Sequence, residues 1–340
     1  MPSPGETTKK HKVNGADSSC AGAESRLGKK KKTLPLQVEK TVVTYDAITG
    51  TDPCLALEDL VAYIHQGGTR KNISPVYKTA DFALYNDDCL EVMSRFPDNY
   101  IDMIFADPPY MLSNDGFTCQ NGRMVSVNKG KWDKSKGFED DLKFHETWLT
   151  ECRRVLKPEG TIWISGTYHS IYQCGFVLQK LNFHLLNDIT WFKPNASPNL
   201  SCRFFTASHE TVLWARKDKN AKHYFDYEAM KNGDFPEDSI KKEDLQMRSV
   251  WSIPTPSPSE KLFGKHPTQK PLALLKRIVL ASTKSNDIIF DPFNGGGTTG
   301  IASKIVGNRK YIGCDLNREY IDLTIKRYEA ISIQSNLFAQ

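Results

Sequence analysis

The sequence has no apolar run near the roughly 18 residues that a membrane span requires, and its polar, lysine-rich N-terminus lacks the apolar core of a signal peptide. It has no Cys-x-x-C pair. Its eight cysteines stand singly at Cys20, Cys54, Cys89, Cys119, Cys152, Cys174, Cys202 and Cys314, which gives a zinc site no support, and no metal is expected. Scattered thiols fit a reducing compartment, the cytosol. A basic surplus is also missing where a fold would be. Residues 1–40 hold nine Lys/Arg against four Asp/Glu, which is the whole net charge of +5, and the rest carries 36 residues of each sign. A polyanion would have to be held by a local basic face, not by bulk charge.

At 340 residues the chain can bury one large core, or one core and a smaller lobe. Residues 1–40, with Lys29-Lys30-Lys31-Lys32, read as a disordered basic tail, either solvated or in non-specific contact with phosphate. Residues 41–77 form an N-terminal extension in which Ala56 to Ile64 has the pattern of a short amphipathic helix. From 78 to 340 strands and helices alternate, as in an α/β, mostly parallel sheet covered on both faces. Two polar stretches interrupt the rhythm. Residues 111–140 are expected as a mobile loop, with a helix following from Phe144 to Leu156 and closed by Lys157-Pro158-Glu159-Gly160. Residues 194–262 read as an insertion.

Asp107-Pro108-Pro109-Tyr110 ends the apolar run Ile101 to Ala106. The prolines stop strand and helix alike. A carboxylate and a ring therefore stand on stiff backbone at the carboxyl end of a strand, where open α/β sheets bind ligands. A rigid acceptor beside a flat ring suits a planar amine such as a nucleobase. Further on, Asp291-Pro292-Phe293-Asn294-Gly295-Gly296-Gly297-Thr298-Thr299-Gly300 follows a strand and opens a helix. Gly295, Gly297 and Gly300 match G-x-G-x-x-G, and Asp315 follows about 20 residues later, as in a dinucleotide site. The Asp-Pro-Phe ahead of the glycines and the late position of the unit disfavour a dinucleotide. S-adenosylmethionine fits better. Asp291 suits its ammonium, the helix start at Thr298 and Thr299 its carboxylate, Asp315 its ribose, and Phe293 or Tyr110 the neighbourhood of its sulfonium.

Together these motifs resemble the β-type amino-methyltransferases of DNA over roughly residues 80–330. The match runs from Asp107-Pro108-Pro109-Tyr110 through His266-Pro267-Thr268-Gln269-Lys270-Pro271 and Asp291 to Gly297, then Asp315 and Tyr320. More narrowly, Met103 to Asn114, Val125 to Lys134 and Pro198 to Thr206 resemble the second adenine methylase of DpnII-type GATC restriction–modification systems. The resemblance implies a Rossmann-like methyltransferase fold, circularly permuted in motif order, with 194–262 as target-recognition region. It implies S-adenosylmethionine as cofactor and DNA as partner, double-stranded and in the narrower type also single-stranded. It further implies a separate cognate endonuclease and a bacterial cytoplasm; relatives of this type often dimerise. The Asp-Pro-Pro-Tyr form goes with adenine N6, whereas N4-cytosine enzymes usually carry Ser in place of the Asp.

On this reading Asp107 and the Pro108 carbonyl accept the two N6 hydrogens, and Tyr110 stacks on an adenine turned out of the duplex. Trp191 is either a second stacking ring or a core residue. Asp88 is either a cofactor or base contact or a helix N-cap. His266 and Lys270 reach the cofactor or a phosphate, or form a solvated turn. Arg203, Arg216, Lys217 and Arg248, interleaved with aromatic residues, are the candidate DNA contacts. The rival functions are N4-cytosine methylation, methylation of RNA or protein amides, a catalytically dead DNA-binding module, and a nicotinamide oxidoreductase.

Overall fold

Short runs in which nearly every residue is apolar make the central strands, as expected where both faces of a parallel sheet are covered. The computed structural model describes residues 73–111, 117–120, 123–126 and 133–338. The tail and the 56–64 helix of the sequence reading lie outside them. The strands are β1 Tyr77–Lys78, β2 Phe82–Tyr85, β3 Ile101–Ala106, β4 Phe117–Gln120, β5 Arg123–Ser126, β6 Leu156–Gly166, β7 His184–Phe192, β8 His209–Arg216, β9 Val250–Ser252, β10 Ile288–Asp291 and β11 Lys310–Cys314. The helices are α1 Cys89–Met93, α2 Phe138–Val155, α3 Ile171–Lys180, α4 Tyr227–Asn232, α5 Leu272–Ser282, α6 Thr298–Val306 and α7 Arg318–Phe338.

Nine strands form one sheet in the order β1-β2-β11-β10-β3-β6-β8-β7-β9. From β2 to β6 all neighbours are parallel, β8 is antiparallel to both its neighbours, and β9 is parallel to β7. Alternate residues feed two cores. One holds Ile104, Ala106, Ile162 and Phe290 under α1, α2 and α3. The other holds Met103, Phe105, Trp163 and Ile289 under α5, α6 and α7. Strands β10 and β3 pair directly, Ile289 against Met103 and Phe290 against Ile104. Motifs more than half a chain apart in sequence thereby end side by side at the carboxyl edge of the sheet.

Four expectations change. Residues 111–140 contain the antiparallel hairpin β4–β5, and α2 begins at Phe138, before Phe144. Its first turn is Glu139-Asp140-Asp141, which favours a helix N-terminus electrostatically but hides the apolar period. Lys157 to Gly160 does not close a helix in a turn: it is taken up as an irregularity of β6, between the pairs Ile101–Leu156 and Met103–Thr161. Residues 194–262 are not one insertion, because β8 lies inside the sheet with Val212 and Ala215 fully buried. What lies outside the sheet is a loop at 193–208 and the stretches 217–249 and 253–262.

Candidate active site

Asp107 continues the phase of Met103 and Phe105 and so turns toward the α5 side of the sheet. There it meets Lys270, which stands just ahead of α5. Lys270 Nζ lies 2.5 Å from Asp107 Oδ2 and 3.6 Å from Glu210 Oε2, and the lysine is 5% exposed. The Tyr110 hydroxyl donates to Asp107 Oδ1 at 2.5 Å and lies 3.0 Å from Glu210 Oε2. Lys193 Nζ donates to Glu210 Oε1 at 2.6 Å. Two carboxylates and two ammonium groups thus balance in one buried cluster. Asp133 holds the turn from beneath, accepting the Tyr110 backbone N–H at 2.9 Å. Met111 then leaves it at φ +57°, a left-handed conformation that costs a non-glycine residue energy.

Burial pushes the Asp107 carboxyl above the usual carboxylate range, Lys270 pulls it back, and Glu210 adds to the rise. Burial also acts to raise Glu210, but Lys270 and Lys193 outweigh it and hold that carboxyl at about 2. The difference has a plain cause: Glu210 faces two lysines and Asp107 one. Asp107 is therefore the first of the two to take a proton. Burial works to lower the Lys270 ammonium, and the two carboxylates keep it raised and charged.

The glycine turn lies across a shared cavity. Asp291 Oδ1 accepts the Phe293 N–H at 3.0 Å and its Oδ2 accepts the Thr299 hydroxyl at 2.6 Å. Asp315 Oδ2 accepts the Gly295 N–H at 2.8 Å and its Oδ1 the Asn317 N–H at 2.8 Å. These carboxylates hold the loop's shape. Gly297 caps α6 at φ +71°, and a Cβ there would lie 2.3 Å from Thr324. Buried Arg327 donates to the Gly296 carbonyl and, at 3.1 Å, to the Thr298 hydroxyl. His266 packs over Gly295 and edge-on to Tyr320, with centroids 4.3 Å apart. A cavity of about 690 Å³ is lined by Asp88, Asp107, Tyr110, Lys270, Phe293, Gly295 and Asp315, a volume in the range of small-molecule and cofactor sites.

The catalytic and cofactor candidates of the sequence therefore converge on one cavity, with three adjustments. Lys270 does not stand free for a cofactor or phosphate: its ammonium is spent on Asp107. Asp88 lines the cavity and also caps α1, accepting the Leu90 N–H at 2.8 Å. Tyr110 is 4% exposed, with Lys270 Nζ 5.2 Å from its ring centroid, so one face is already covered. The DNA candidates divide. Trp191 is a core residue, 2% exposed, whose indole N–H donates to the Ile253 carbonyl. Arg216 closes its own turn onto the Lys219 and Ala221 carbonyls. Lys217 binds Asn99 and the Leu156 carbonyl at the opposite, amino edge of the parallel strands. These three are corrected: sheet pairing and turn closure use the groups that DNA would need. Arg203 and Arg248 are exposed, and Arg203 lies in the loop from β7 to β8, on the edge that carries Asp107.

Sequence reasoning missed Glu210, Lys193, Ser165 and Asp133. The one available signal was an acid, Glu210, opening an otherwise apolar run. Among the described residues, no group of three or more His, Cys, Asp or Glu could hold a metal, and no helix is long and apolar enough to cross a membrane.

A parallel sheet that brings a rigid Asp-Pro-Pro-Tyr corner beside a glycine turn defines a class. The chain belongs to the N6/N4-type DNA methylases, whose family matches residues 101–326, and is a DNA methyltransferase. It is 48% identical over 273 residues to the type II methyltransferase M2.MboI of Moraxella bovis, covering 79% of this chain and 96% of that one. It is 48% identical to M2.DpnII of Streptococcus pneumoniae, covering 75% and 92%. Among solved structures it resembles the M1.HpyAVI–SAM complex, with TM-score 0.51, 27% identity, and coverage of 73% and 98%.

Proposed function

We propose that the chain transfers a methyl group from S-adenosylmethionine to N6 of adenine in DNA, at GATC, as the modification enzyme of a restriction–modification system. The observation that carries the chemistry is the shared cavity, with Asp107 on one wall and Gly295 and Gly296 of the glycine turn on the other. The cavity suits the cofactor. Its volume is ample, Gly295 and Gly296 line it with His266 packed close behind them, so backbone and not side chain faces the space, and carboxylates stand beside apolar Phe293 and Leu316. Asp315, Phe293 and the backbone at Gly295 would hold the cofactor, which supplies a methyl group activated on a sulfonium. The aspartate at 107 supports adenine over cytosine.

Adenine N6 is a weak nucleophile because its lone pair is delocalised into the ring. Asp107 and the Pro108 carbonyl accept its two hydrogens and draw the nitrogen toward a tetrahedral form. Fixed acceptors aimed at a nitrogen that becomes positive lower the barrier. N6 takes up the methyl group that the bound cofactor would supply, and one N6 proton would leave by way of Asp107. Its raised affinity for protons suits that role.

The DNA face we assign to the carboxyl edge of the sheet. The loop 193–208 places Arg203 there with Phe204 and Phe205, which are 68% and 98% exposed. Arginine meets phosphates and guanine edges, and exposed rings stack on unpaired bases. We extend the reading to a separate cognate endonuclease, a homodimer, single-stranded as well as double-stranded DNA, and a bacterial cytoplasm. In domain terms, residues 1–40 and 41–77 precede a methyltransferase domain from 78 to 340. Digesting treated DNA to nucleosides tests the reaction: N6-methyladenine is expected with wild type and absent with Asp107→Ala. N4-methylcytosine in its place would overturn the adenine assignment. Protection of GATC sites from a cleaving endonuclease tests the recognition sequence.

A further inference from the structure

Both oxygens of the Asp107 carboxylate already have partners within the protein, Lys270 on Oδ2 and the Tyr110 hydroxyl on Oδ1, each at 2.5 Å. To accept a hydrogen from an incoming amine, Asp107 must loosen at least one of them. Both partners face a second acceptor, Glu210, at 3.0 Å from the hydroxyl and 3.6 Å from the ammonium. Glu210 is the second residue of β8 and is buried. Lys193, just past β7, braces it from one side at 2.6 Å, and the Ser165 hydroxyl on β6 lies 3.3 Å away.

Resting on the adenine reading above, we propose that Glu210, braced by Lys193, is a positioning residue for methyl transfer. It takes the Tyr110 hydroxyl and shares the Lys270 ammonium as the substrate amine docks on Asp107. A carboxylate that served only to neutralise Lys193 would not need to face both partners of Asp107. Charge makes the role testable. The groups that surround Asp107 and Glu210 are Lys270, Lys193 and Tyr110, with Asp291 facing Asp107 from the end of β10. Glutamine at 210 would leave one uncompensated positive charge and commit Lys270 to Asp107. Asp107 would then be harder to protonate and harder to free. Aspartate at 210 keeps the charge.

The test uses full-length wild-type, Glu210→Gln and Glu210→Asp protein. N6-methyladenine formation is followed from about pH 5 to 9, and S-adenosylmethionine affinity is measured by calorimetry. For Glu210→Gln, kcat should fall at least about tenfold, cofactor affinity should stay within about threefold, and the acid limb of kcat should move to lower pH. Glu210→Asp should keep the wild-type limb. A Glu210→Gln enzyme within about twofold of wild type, or one that is slower with an unmoved limb, overturns the proposal while leaving adenine methylation standing. Should Glu210→Gln not fold, Lys193→Met carries the test. Loss of that cation should move the limb to higher pH, and an unmoved limb overturns the role. Wild type that forms no N6-methyladenine refutes the underlying reading, and this inference with it.

Discussion

Replacing Lys270 by methionine removes the cation that Asp107 and Glu210 share, from a site where the lysine is 5% exposed. Removing one partner of a buried ion pair costs roughly 3–5 kcal/mol, because the remaining charge is left without compensation. Glu210 keeps Lys193, so the cost falls on Asp107. The protein can relieve it by protonating Asp107, at about 1.4 kcal/mol for each unit by which the carboxyl rises. The sign follows from linkage. The folded Asp107 already binds protons more tightly than the unfolded one, and the variant widens that gap. Relative to wild type, the variant should therefore lose stability as pH rises through the window between the raised wild-type folded value and the still higher folded value of the variant. Denaturant unfolding at a series of pH values measures this. In the same samples the acid limb of methyl transfer should move up by a unit or more, opposite to the shift expected for Glu210→Gln. A stability loss independent of pH, together with an unmoved limb, would refute Lys270 as the counter-ion of Asp107.

Burial raises the Asp291 carboxyl to about 7. Wild type should shed stability across roughly pH 4 to 7, on the order of 4 kcal/mol for the three units; Asp291→Asn should flatten that stretch of the pH–stability curve, and an unchanged slope would rule Asp291 out. For Gly297→Ala, φ of +71° and a Cβ 2.3 Å from Thr324 combine conformational strain with overpacking. A loss of about 2–4 kcal/mol is expected, seen as a lower melting temperature with cofactor affinity at least tenfold weaker; normal melting and binding would show that the turn has slack. Arg203→Ala should weaken DNA binding and lower its salt dependence, whereas Lys217→Ala should leave affinity within about twofold in the same titration. The reverse ranking would move the DNA face to the other edge of the sheet.

The parts of this protein that were legible in the sequence are those where local chemistry decides. Two adjacent prolines can only stop β3, so the position of Asp107 at a strand end followed from Pro108 and Pro109 alone. Glycines before a helix, with an acid one strand later, likewise marked the turn that Asp315 now holds. What was not legible depends on pairing. Trp191 and Trp251 pair across the β7–β9 edge, and Trp191 donates to Ile253; no local pattern distinguishes such a ring from a stacking platform. Arg216 and Lys217 looked available because they sit among charges, yet their donors close a turn and a strand edge. The start of α2 was hidden because its first turn is acidic where the apolar period was sought.

Lys270 shows how topology converts these local signals into chemistry. It lies 163 residues from Asp107 in sequence, in a motif that suggested a cofactor or phosphate contact. Because β10 pairs with β3, the segment leading through α5 into β10 has to pass over the end of β3. Lys270, at the start of α5, is thereby brought to the strand end where Asp107 sits. On the other flank, β6 pairs with β8, and the first residues of β8 bring Glu210 to the same edge. A carboxylate between two such neighbours is held in a fixed orientation, and its proton affinity is set by elements on both flanks of β3. Neither flank is near Asp107 in sequence. The order of the motifs along the chain is therefore immaterial to the chemistry, and the order of strands in the sheet is what builds the site.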